Sequence, residues 1–325
     1  MPQLEAGTKK LSEKFKREIE CMKASNDYIR DSKVKVGIIG TGNIGTDLLV
    51  KILRSKLLEC AIFTGKNRNS KGMKKARALG VRTSDKSISI IEENPNLCEI
   101  VFDATSAESH FKHAPILKKM GKFVIDMTPS RVGKMCVPMV NLKESLYESN
   151  VNMVTCGGQA AIPIAVAMKK IHPEIEYLEI VSSIASKSAG IGTRDNIDEY
   201  TQTTSDGINK FAKIPSTKAI IILNPADPPI LMHNTIYASI NNPDISALEK
   251  EIRRVVHEIK KYVPGYHLIL GPVHENNRVT VMIEVVGMGD YLPVYAGNLD
   301  IINHAAIRVA EEYVRNKLAK VRSHQ

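Results

Sequence analysis

Tryptophan is absent from this sequence of 325 residues, and its aromatic side chains are 6 Phe and 10 Tyr. Nucleic-acid-binding surfaces that stack bases need aromatic side chains interleaved with clustered Lys and Arg. The formal net charge is +10, but the basic residues are spread along the chain. We therefore expect no nucleic-acid partner. The positive charge either attracts small polyanions, such as nucleotide cofactors, or serves general surface solubility.

Paired cysteines and long apolar runs are missing as well. The sequence has no C-x-x-C pair and no His cluster at metal-ligand spacing, which predicts no metal site and a reducing compartment such as the cytoplasm. No apolar run reaches the ~20 residues that a membrane helix needs. The charged N-terminus lacks the apolar core of a signal peptide. The five cysteines are scattered along the chain at Cys21, Cys60, Cys98, Cys136 and Cys156.

The first clear strand pattern, Lys33–Ile39, leads directly into the motif G-x-G-x-x-G, which is followed by a helical pattern. In this context Gly40 permits the tight turn, Gly42 lets the backbone approach a pyrophosphate, and Gly45 allows close packing of helix on strand. Strands and helices then alternate as far as residue 150. The sequence therefore predicts an α/β fold with a Rossmann doubly wound parallel sheet over residues 34–150.

An acidic residue is missing where NAD-binding sheets usually place one, after the second strand. No Asp or Glu lies between Glu59 and Asp85, and Lys66 and Arg68 are there instead. These charges either hold the 2′-phosphate of NADP or face solvent. We expect NADP to be at least tolerated beside NAD, and a preference for NADP stays open. At the end of a later strand, Ser106 is either a contact to the nicotinamide half or a plain helix N-cap.

One cysteine, Cys156, lies between a β-prone segment, 151–155, and a predicted helix, Ala160–Lys170, whose Pro163 is expected in the first turn. Two glycines follow the cysteine. Unpaired N–H groups at a helix start carry partial positive charge, which predicts a lowered thiol pKa and donors for an oxyanion. Cys156 is therefore a candidate nucleophile. The alternative is a small, buried and inert cysteine.

The remaining pattern predicts a second α+β domain of mixed sheet, for catalysis and oligomerisation, over residues 151–290. Within it, the loop at 186–196 combines Ser, Gly and Arg in a way that suits a nucleotide contact or an ordinary capped loop. A C-terminal segment, 291–325, carries a helix expected to return to the first domain. Residues 1–33 form an extension with helical spacing from Thr8 to about Asp27.

Several long blocks, in this order, resemble the acylating acetaldehyde dehydrogenase family of the meta-cleavage pathway in aromatic hydrocarbon catabolism. The resemblance runs from about Lys35 to the C-terminal helix. The blocks are IIGTGNIGTDL at 38–48, FDATSA at 102–107, NVNMVTCGGQA at 150–160, SKSAG at 186–190, GTR at 192–194, NIDE at 196–199, LNPA at 223–226 and YLPVYAGNLDI at 291–301.

The resemblance implies oxidation of acetaldehyde, or a short homologue, to the acyl-CoA, with NAD as acceptor and coenzyme A as co-substrate. It makes Cys156 the nucleophile that carries the acyl group as a thioester. It also implies a 4-hydroxy-2-oxovalerate aldolase partner, and we expect a homo-oligomer. The implied cofactor-binding residues are Thr41, Gly42, Asn43, Ile44, Ser188, Ala189, Gly190, Ile191, Gly192, Thr193, Arg194, Asp195, Asn196 and Asn298.

The sequence departs from the family pattern in three places. His233-Asn234 replaces an Arg-Asp pair whose aspartate is thought to help activate the thiol, and Asn234 cannot take a proton. Asn67 replaces the acid after the second strand. The extension at 1–33 has no counterpart, and the stretch between Leu270 and Arg278 is short, which bears on aldolase docking.

Two other functions remain open from the sequence. A semialdehyde dehydrogenase that uses phosphate in place of CoA would share the same architecture. A redox-sensing Rossmann protein without turnover would keep its function after Cys156→Ala.

Overall fold

A computed structural model describes residues 33–194 and 196–323. The predicted helix at Thr8–Asp27 and the predicted cofactor contact Asp195 lie outside the described residues. Ile191 and Gly192 are described by their backbone alone. None of the helices in the described part of the chain combines the length and apolar character needed to cross a membrane.

The first sheet has seven strands in the order β3-β2-β1-β4-β5-β7-β6, and every neighbouring pair is parallel. Apolar clusters cover both faces of this sheet, as a parallel sheet requires. The predicted Rossmann arrangement is confirmed. Its elements are β1 (Val34–Ile39), α1 (Asn43–Arg54), β2 (Leu58–Thr64), α2 (Lys71–Ala78), β3 (Thr83–Ser84), α3 (Ser89–Glu93), β4 (Ile100–Asp103), α4 (Ala107–Lys119), β5 (Phe123–Asp126), β6 (Lys134–Met135), α5 (Pro138–Ser145) and β7 (Asn150–Asn152).

The second sheet has five strands in the order β11-β12-β10-β8-β9 and is mixed. Only the pair β8–β9 is parallel, and the other neighbours are antiparallel. The predicted mixed sheet is confirmed. Its elements are α6 (Cys156–Ile171), β8 (Tyr177–Ala185), α7 (Ile191–Arg194), α8 (Ile197–Ala212), β9 (Ser216–Asn224), β10 (Met232–Ser239), α9 (Ile245–Lys260), β11 (Tyr266–Glu275) and β12 (Arg278–Val285).

Helix α6 begins at Cys156, and Pro163 lies inside it rather than in its first turn. The start of a helix at the cysteine is as predicted, but the placing of Pro163 in the first turn was wrong. Strong helix formers become frequent only from Ala160, because glycine is a poor helix former and the first turn contains two glycines. Close packing requires the first of them. A Cβ on Gly157 would lie 2.2 Å from the hydroxyl oxygen of Tyr200.

The last helix, α10 (Gly297–Ser323), packs mainly against α1 and α6. Nδ2 of Asn303 donates to Oδ2 of Asp47 at 2.7 Å. The ring of Tyr313 stacks on Phe123 with 4.0 Å between the ring centroids. Because α10 begins before the predicted Ile301, Asn298 lies in its first turn instead of in a loop.

Candidate active site

The carboxyl ends of strands in the first sheet face the start of α6 across a cleft of about 490 Å³. In a doubly wound sheet, ligands bind at this edge. The cleft brings the candidate nucleophile beside the glycine-rich turn. Its lining residues are Gly42, Asn43, Ile44, Ala104, Thr105, Ser106, Ala107, Met127, Thr128, Pro129, Val154, Thr155, Cys156, Gly190, Thr193, Asn196, Tyr200, Asn298, Leu299 and Ile302.

Seven of the 14 residues predicted to bind the cofactor meet at this cleft, although they come from distant parts of the sequence. Thr41, Ser188, Ala189 and Arg194 are not among the described residues that line it. The Thr41 hydroxyl instead accepts a hydrogen bond from Ser70. The predicted cofactor residues in the cleft wall are Gly42, Asn43, Ile44, Gly190, Thr193, Asn196 and Asn298.

The glycine-rich turn has the form that a pyrophosphate requires. Gly40 has φ +114°, and a Cβ there would lie 2.3 Å from the carbonyl oxygen of Ala104. A Cβ on Gly45 would lie 2.0 Å from the carbonyl oxygen of Gly40. In contrast, a Cβ on Gly42 would meet nothing within 4 Å. Two glycines therefore close the turn, and Gly42 leaves the cleft side open for a ligand.

Two polar side chains line the other half of the cleft. The Asn298 side-chain oxygen is buried and has no hydrogen-bond partner among the described residues. An unpaired buried acceptor is costly, so this atom suits a ligand donor such as the nicotinamide carboxamide. Ser106 caps α4 by accepting from the Ser109 backbone N–H at 3.2 Å. Since Ser106 also lines the cleft, both roles considered for it are compatible.

The Cys156 side chain lies at the cleft but is 9% exposed. Burial raises the pKa of its thiol above the ordinary value. A hydrogen bond with the Tyr200 hydroxyl, at 3.7 Å, and the backbone N–H groups of Gly157 and Cys156 oppose this only in part. The predicted lowering of the pKa was wrong, because loss of solvent outweighs the field of the helix start.

The first N–H groups of α6 are already engaged. Gly157 N–H donates to the Tyr200 hydroxyl oxygen at 3.0 Å, and Gly158 N–H donates to the Thr155 side chain at 2.9 Å. Two of these groups therefore already have partners, since one N–H caps the helix and the other polarises a tyrosine hydroxyl. The N–H groups of Cys156 and Gly157 still act on the sulfur, and their role as oxyanion donors stays a prediction.

His233 and Asn234, which replace the Arg-Asp pair of the family, are consecutive residues of β10, and their side chains lie on opposite faces of the sheet. His233 is 34% exposed, and its Nε2 lies 3.1 Å from Glu284. Asn234 is 0% exposed, and its side-chain oxygen accepts from the Ser182 hydroxyl at 2.6 Å. Ser182 is in turn a hydrogen-bond neighbour of the Tyr200 hydroxyl. Asn234, not His233, therefore points toward the sulfur of Cys156 through two hydroxyls. Strand alternation was the signal that could have shown this.

We call Cys156, Ser182, Tyr200 and Asn234 the neutral cluster. Sequence reasoning missed Ser182 and Tyr200. Ser182 lies within a predicted strand, and Tyr200 lies within a predicted helix. Neither carries a motif that distinguishes it from a core residue. The pairing of Asn234 with Ser182 follows from the antiparallel register of β10 and β8, which the sequence does not contain.

A second buried group, which we call the charged cluster, lies at the carboxyl ends of β4 and β5 and consists of Asp103, His110, His113 and Asp126. Oδ2 of Asp103 lies 2.9 Å from Nδ1 of His110 and 2.8 Å from Nδ1 of His113. Burial acts to raise the pKa of Asp103, but these hydrogen bonds outweigh it and hold the pKa well below its usual range. In His110, burial is outweighed by the two carboxylates, and the pKa is raised.

The segment before the nucleophile is strained. Val154 has φ +59°, a region that a β-branched residue rarely enters. The Asn152 side chain accepts from the Val154 N–H at 2.9 Å and also donates to Asp126 at 2.7 Å. The strained turn is thereby attached to the charged cluster. Among the described residues, no three His, Cys, Asp or Glu side chains are grouped so as to hold a metal.

Two family models match the chain. The model described as prokaryotic acetaldehyde dehydrogenase, dimerisation, matches residues 156–293, which contain Cys156 and the second sheet. The model described as semialdehyde dehydrogenase, NAD binding domain, matches residues 35–144. The first match contains the second sheet, and the second match contains most of the first sheet.

Curated relatives match over nearly their whole length. The acetaldehyde dehydrogenase of Pectobacterium atrosepticum is 55% identical over 86% of this chain and 96% of that protein. That of Spirochaeta aurantia is 54% identical over 87% of this chain and 95% of that protein. That of Geobacillus stearothermophilus is 51% identical over 89% of this chain and 98% of that protein.

Solved structures with the same fold are more distant in sequence. Aspartate semialdehyde dehydrogenase II of Vibrio cholerae, complexed with ASA, has a TM-score of 0.58 and 17% identity, and the match covers 87% of this chain and 99% of that one. Aspartate semialdehyde dehydrogenase with NADP from Candida albicans has a TM-score of 0.58 and 12% identity, over 86% of this chain and 99% of that one. At these identities the likeness shows the fold alone.

Proposed function

The chain belongs to the acetaldehyde dehydrogenase family, and on that premise we propose that it converts acetaldehyde or a short homologue, CoA and NAD(P)⁺ to the acyl-CoA and NAD(P)H. The enzyme is an aldehyde dehydrogenase with a nicotinamide cofactor. The observation that carries the finer proposal is the position of Cys156, at the start of α6, in the wall of the cleft that the glycine-rich turn also lines.

In the proposed reaction, the Cys156 thiol first loses its proton to water in the cleft. The thiolate then adds to the aldehyde carbon and forms a thiohemiacetal. A bound nicotinamide cofactor supplies the hydride acceptor. After oxidation, Cys156 carries the acyl group as a thioester. The thiolate of CoA attacks this carbonyl, acyl-CoA leaves, and Cys156 is restored. Burial of the sulfur disfavours hydrolysis of the thioester.

The cofactor fits the residues of the cleft in two respects. The open side of Gly42 admits a pyrophosphate, and the unpaired oxygen of Asn298 admits a carboxamide donor. After β2, Lys66 and Arg68 are exposed, and the chain has no acidic residue between the end of the strand and Asp85. We therefore propose that NADP is accepted beside NAD. The 14 residues predicted from the resemblance remain the proposed cofactor set, including those outside the cleft wall.

The division into a cofactor domain at 34–150, a catalytic and oligomerisation domain at 151–290 and a C-terminal helix segment at 291–325 is also proposed. Homo-oligomerisation is supported by the dimerisation model and by the face of the second sheet opposite its helices. There Val181, Tyr237 and Met282 are half-buried and apolar. An aldolase partner is proposed from the family resemblance.

The test measures nicotinamide reduction by purified protein with acetaldehyde, adding CoA, inorganic phosphate or neither, with NAD and NADP in parallel. We expect reduction that requires CoA. Reduction that requires phosphate would assign the semialdehyde alternative. Absence of CoA-dependent reduction with both cofactors would reject the proposed function. A strong preference for NAD would reject the role proposed for Lys66 and Arg68.

A further inference from the structure

The hydroxyl of Tyr200 lies beside the reactive sulfur at the start of α6. We propose that this hydroxyl is a catalytic hydrogen-bond donor that stabilises the thiolate of Cys156, with Ser182 and Asn234 as positioning residues behind it. The proposal rests on the proposed function in one respect, since it takes Cys156 to be the nucleophile.

The geometry gives the Tyr200 oxygen a defined set of neighbours. It accepts the backbone N–H of Gly157 at 3.0 Å and lies 3.7 Å from the sulfur of Cys156. Accepting a bond from the first turn of a helix polarises the hydroxyl, and its own proton becomes a better donor. The positive end of α6 thus reaches the sulfur partly through Tyr200.

A second oxygen competes for the same proton. A Cβ built on Gly157 would lie 2.2 Å from the Tyr200 oxygen and 2.5 Å from the Ser182 oxygen, so the two hydroxyls are neighbours. Because Ser182 donates its proton to Asn234 at 2.6 Å, its oxygen faces Tyr200 as an acceptor. When Cys156 is a thiol, its S–H donates to Tyr200, and Tyr200 donates to Ser182. When Cys156 is a thiolate, the Tyr200 proton turns to the sulfur.

Tyr200 acts as a donor and not as a base. Burial holds the pKa of Tyr200 well above its ordinary value, so the phenol remains protonated. Asn234 cannot accept the proton, and Ser182 is already a donor to it. The thiol proton therefore leaves to water in the cleft. No charged side chain in the described part of the chain forms a hydrogen bond or ion pair with the Cys156 sulfur.

It follows that Tyr200 supplies the side-chain contribution that opposes burial at this sulfur. Removing a hydrogen bond to a charged group shifts its pKa by about one unit or more. The rest of the support comes from the backbone N–H groups of Cys156 and Gly157, which a side-chain substitution leaves in place.

The test compares Tyr200→Phe with Tyr266→Phe. Tyr266 is a matched control, because its hydroxyl is also buried and also bonds α6, at the carbonyl of Ala160, but does not contact the sulfur. Alkylation of Cys156 by iodoacetamide is followed in the free enzyme by mass spectrometry of the peptide that contains it, from about pH 7 to about pH 10. The peptide measurement separates Cys156 from the other cysteines.

For Tyr200→Phe we expect the alkylation midpoint to move to higher pH and the rate at about pH 8 to fall about 10-fold. Tyr266→Phe should follow the wild type. A Tyr200→Phe profile that superimposes on the wild type, or an equal shift in both variants, would overturn the proposal.

Ser182→Ala provides a second and opposite measurement, which remains informative if Tyr200→Phe does not fold. Removing the competing acceptor leaves the Tyr200 proton free for the sulfur, so the rate at about pH 8 should rise about 3-fold. An unchanged or lower rate would contradict the arrangement. Since alkylation needs no aldehyde, CoA or cofactor, these results are independent of whether the wild type shows CoA-dependent reduction.

Discussion

Two buried polar clusters flank the cleft, and they differ in charge. The charged cluster places two carboxylates and two histidines in mutual contact. The neutral cluster joins the Cys156 thiol, two hydroxyls and an amide, and none of these groups is charged at neutral pH while the thiol keeps its proton. Both clusters are almost closed to solvent.

The charged cluster and the neutral cluster use buried polar groups in different ways. Buried charges are tolerated where hydrogen bonds satisfy them, and such groups fix the elements that carry them. In the charged cluster they connect α4 with the ends of β4, β5 and β7. A neutral surrounding instead keeps the Cys156 sulfur as a thiol, because burial disfavours the thiolate. The nucleophile must therefore be activated by hydrogen bonds rather than by a neighbouring charge.

The largest expected effect is that of Cys156→Ala. We expect CoA-dependent nicotinamide reduction to fall by at least about 1,000-fold, because no other group can hold the acyl chain as a thioester. Steady-state rates with saturating aldehyde measure this. Cys60→Ala is the control, since that thiol is half-buried outside the cleft, and it should keep wild-type turnover. Comparable turnover in Cys156→Ala would contradict the thioester mechanism.

Next in size is the effect of Asp103→Asn on stability. The substitution leaves two histidine N–H groups without their carboxylate, and the free energy of unfolding should fall by about 3 kcal/mol or more. Asn234→Ala in the neutral cluster should cost about 1–2 kcal/mol, because it removes an uncharged hydrogen bond. Urea denaturation at neutral pH compares the two variants. Equal losses would remove the distinction between the clusters.

Structural features that depend on short segments of the chain could be predicted from the sequence. The strand–glycine turn–helix at 34–54 and the mixed character of the second sheet follow from local patterns and are confirmed. The thiol pKa could not be predicted in this way, since the burial that raises it comes partly from Tyr200, on another helix. The place of Pro163 within α6 was missed because strong helix formers begin only after the first-turn glycines, which serve packing on Tyr200.

The charged cluster should also make stability depend on pH. The folded pKa of His110 is raised above its ordinary 6.5, so its contribution is fully present below that pH and is lost as pH rises through the folded pKa. Burial also raises the pKa of Asp126, which acts in the same direction. The pKa of Asp103 is lowered, so its contribution is lost only in stronger acid.

We therefore expect the free energy of unfolding to be greater at about pH 5.5 than at about pH 8, by about 1 kcal/mol. Urea denaturation at the two pH values measures the difference. In His110→Gln the difference should shrink, because the titrating ring is absent. A wild type that is more stable at about pH 8 would show that groups of the opposite sign dominate, such as His304, whose pKa burial lowers.

The smallest expected effect is that of His233→Ala, and it tests which residue of the pair at 233–234 belongs to the neutral cluster. The His233 ring is on the opposite face of β10 from Ser182 and bonds Glu284, so kcat/KM for the aldehyde should change by less than about 2-fold, as for a surface substitution. Asn234→Ala removes the acceptor that holds the Ser182 proton, which can then turn to Tyr200 and leave the Tyr200 proton for the sulfur. The alkylation rate of Cys156 at about pH 8 should therefore rise, as in Ser182→Ala. If His233→Ala instead lowers kcat/KM by more than about 10-fold while the protein remains folded, His233 takes part in activating Cys156, and that activation requires a side chain that can carry charge.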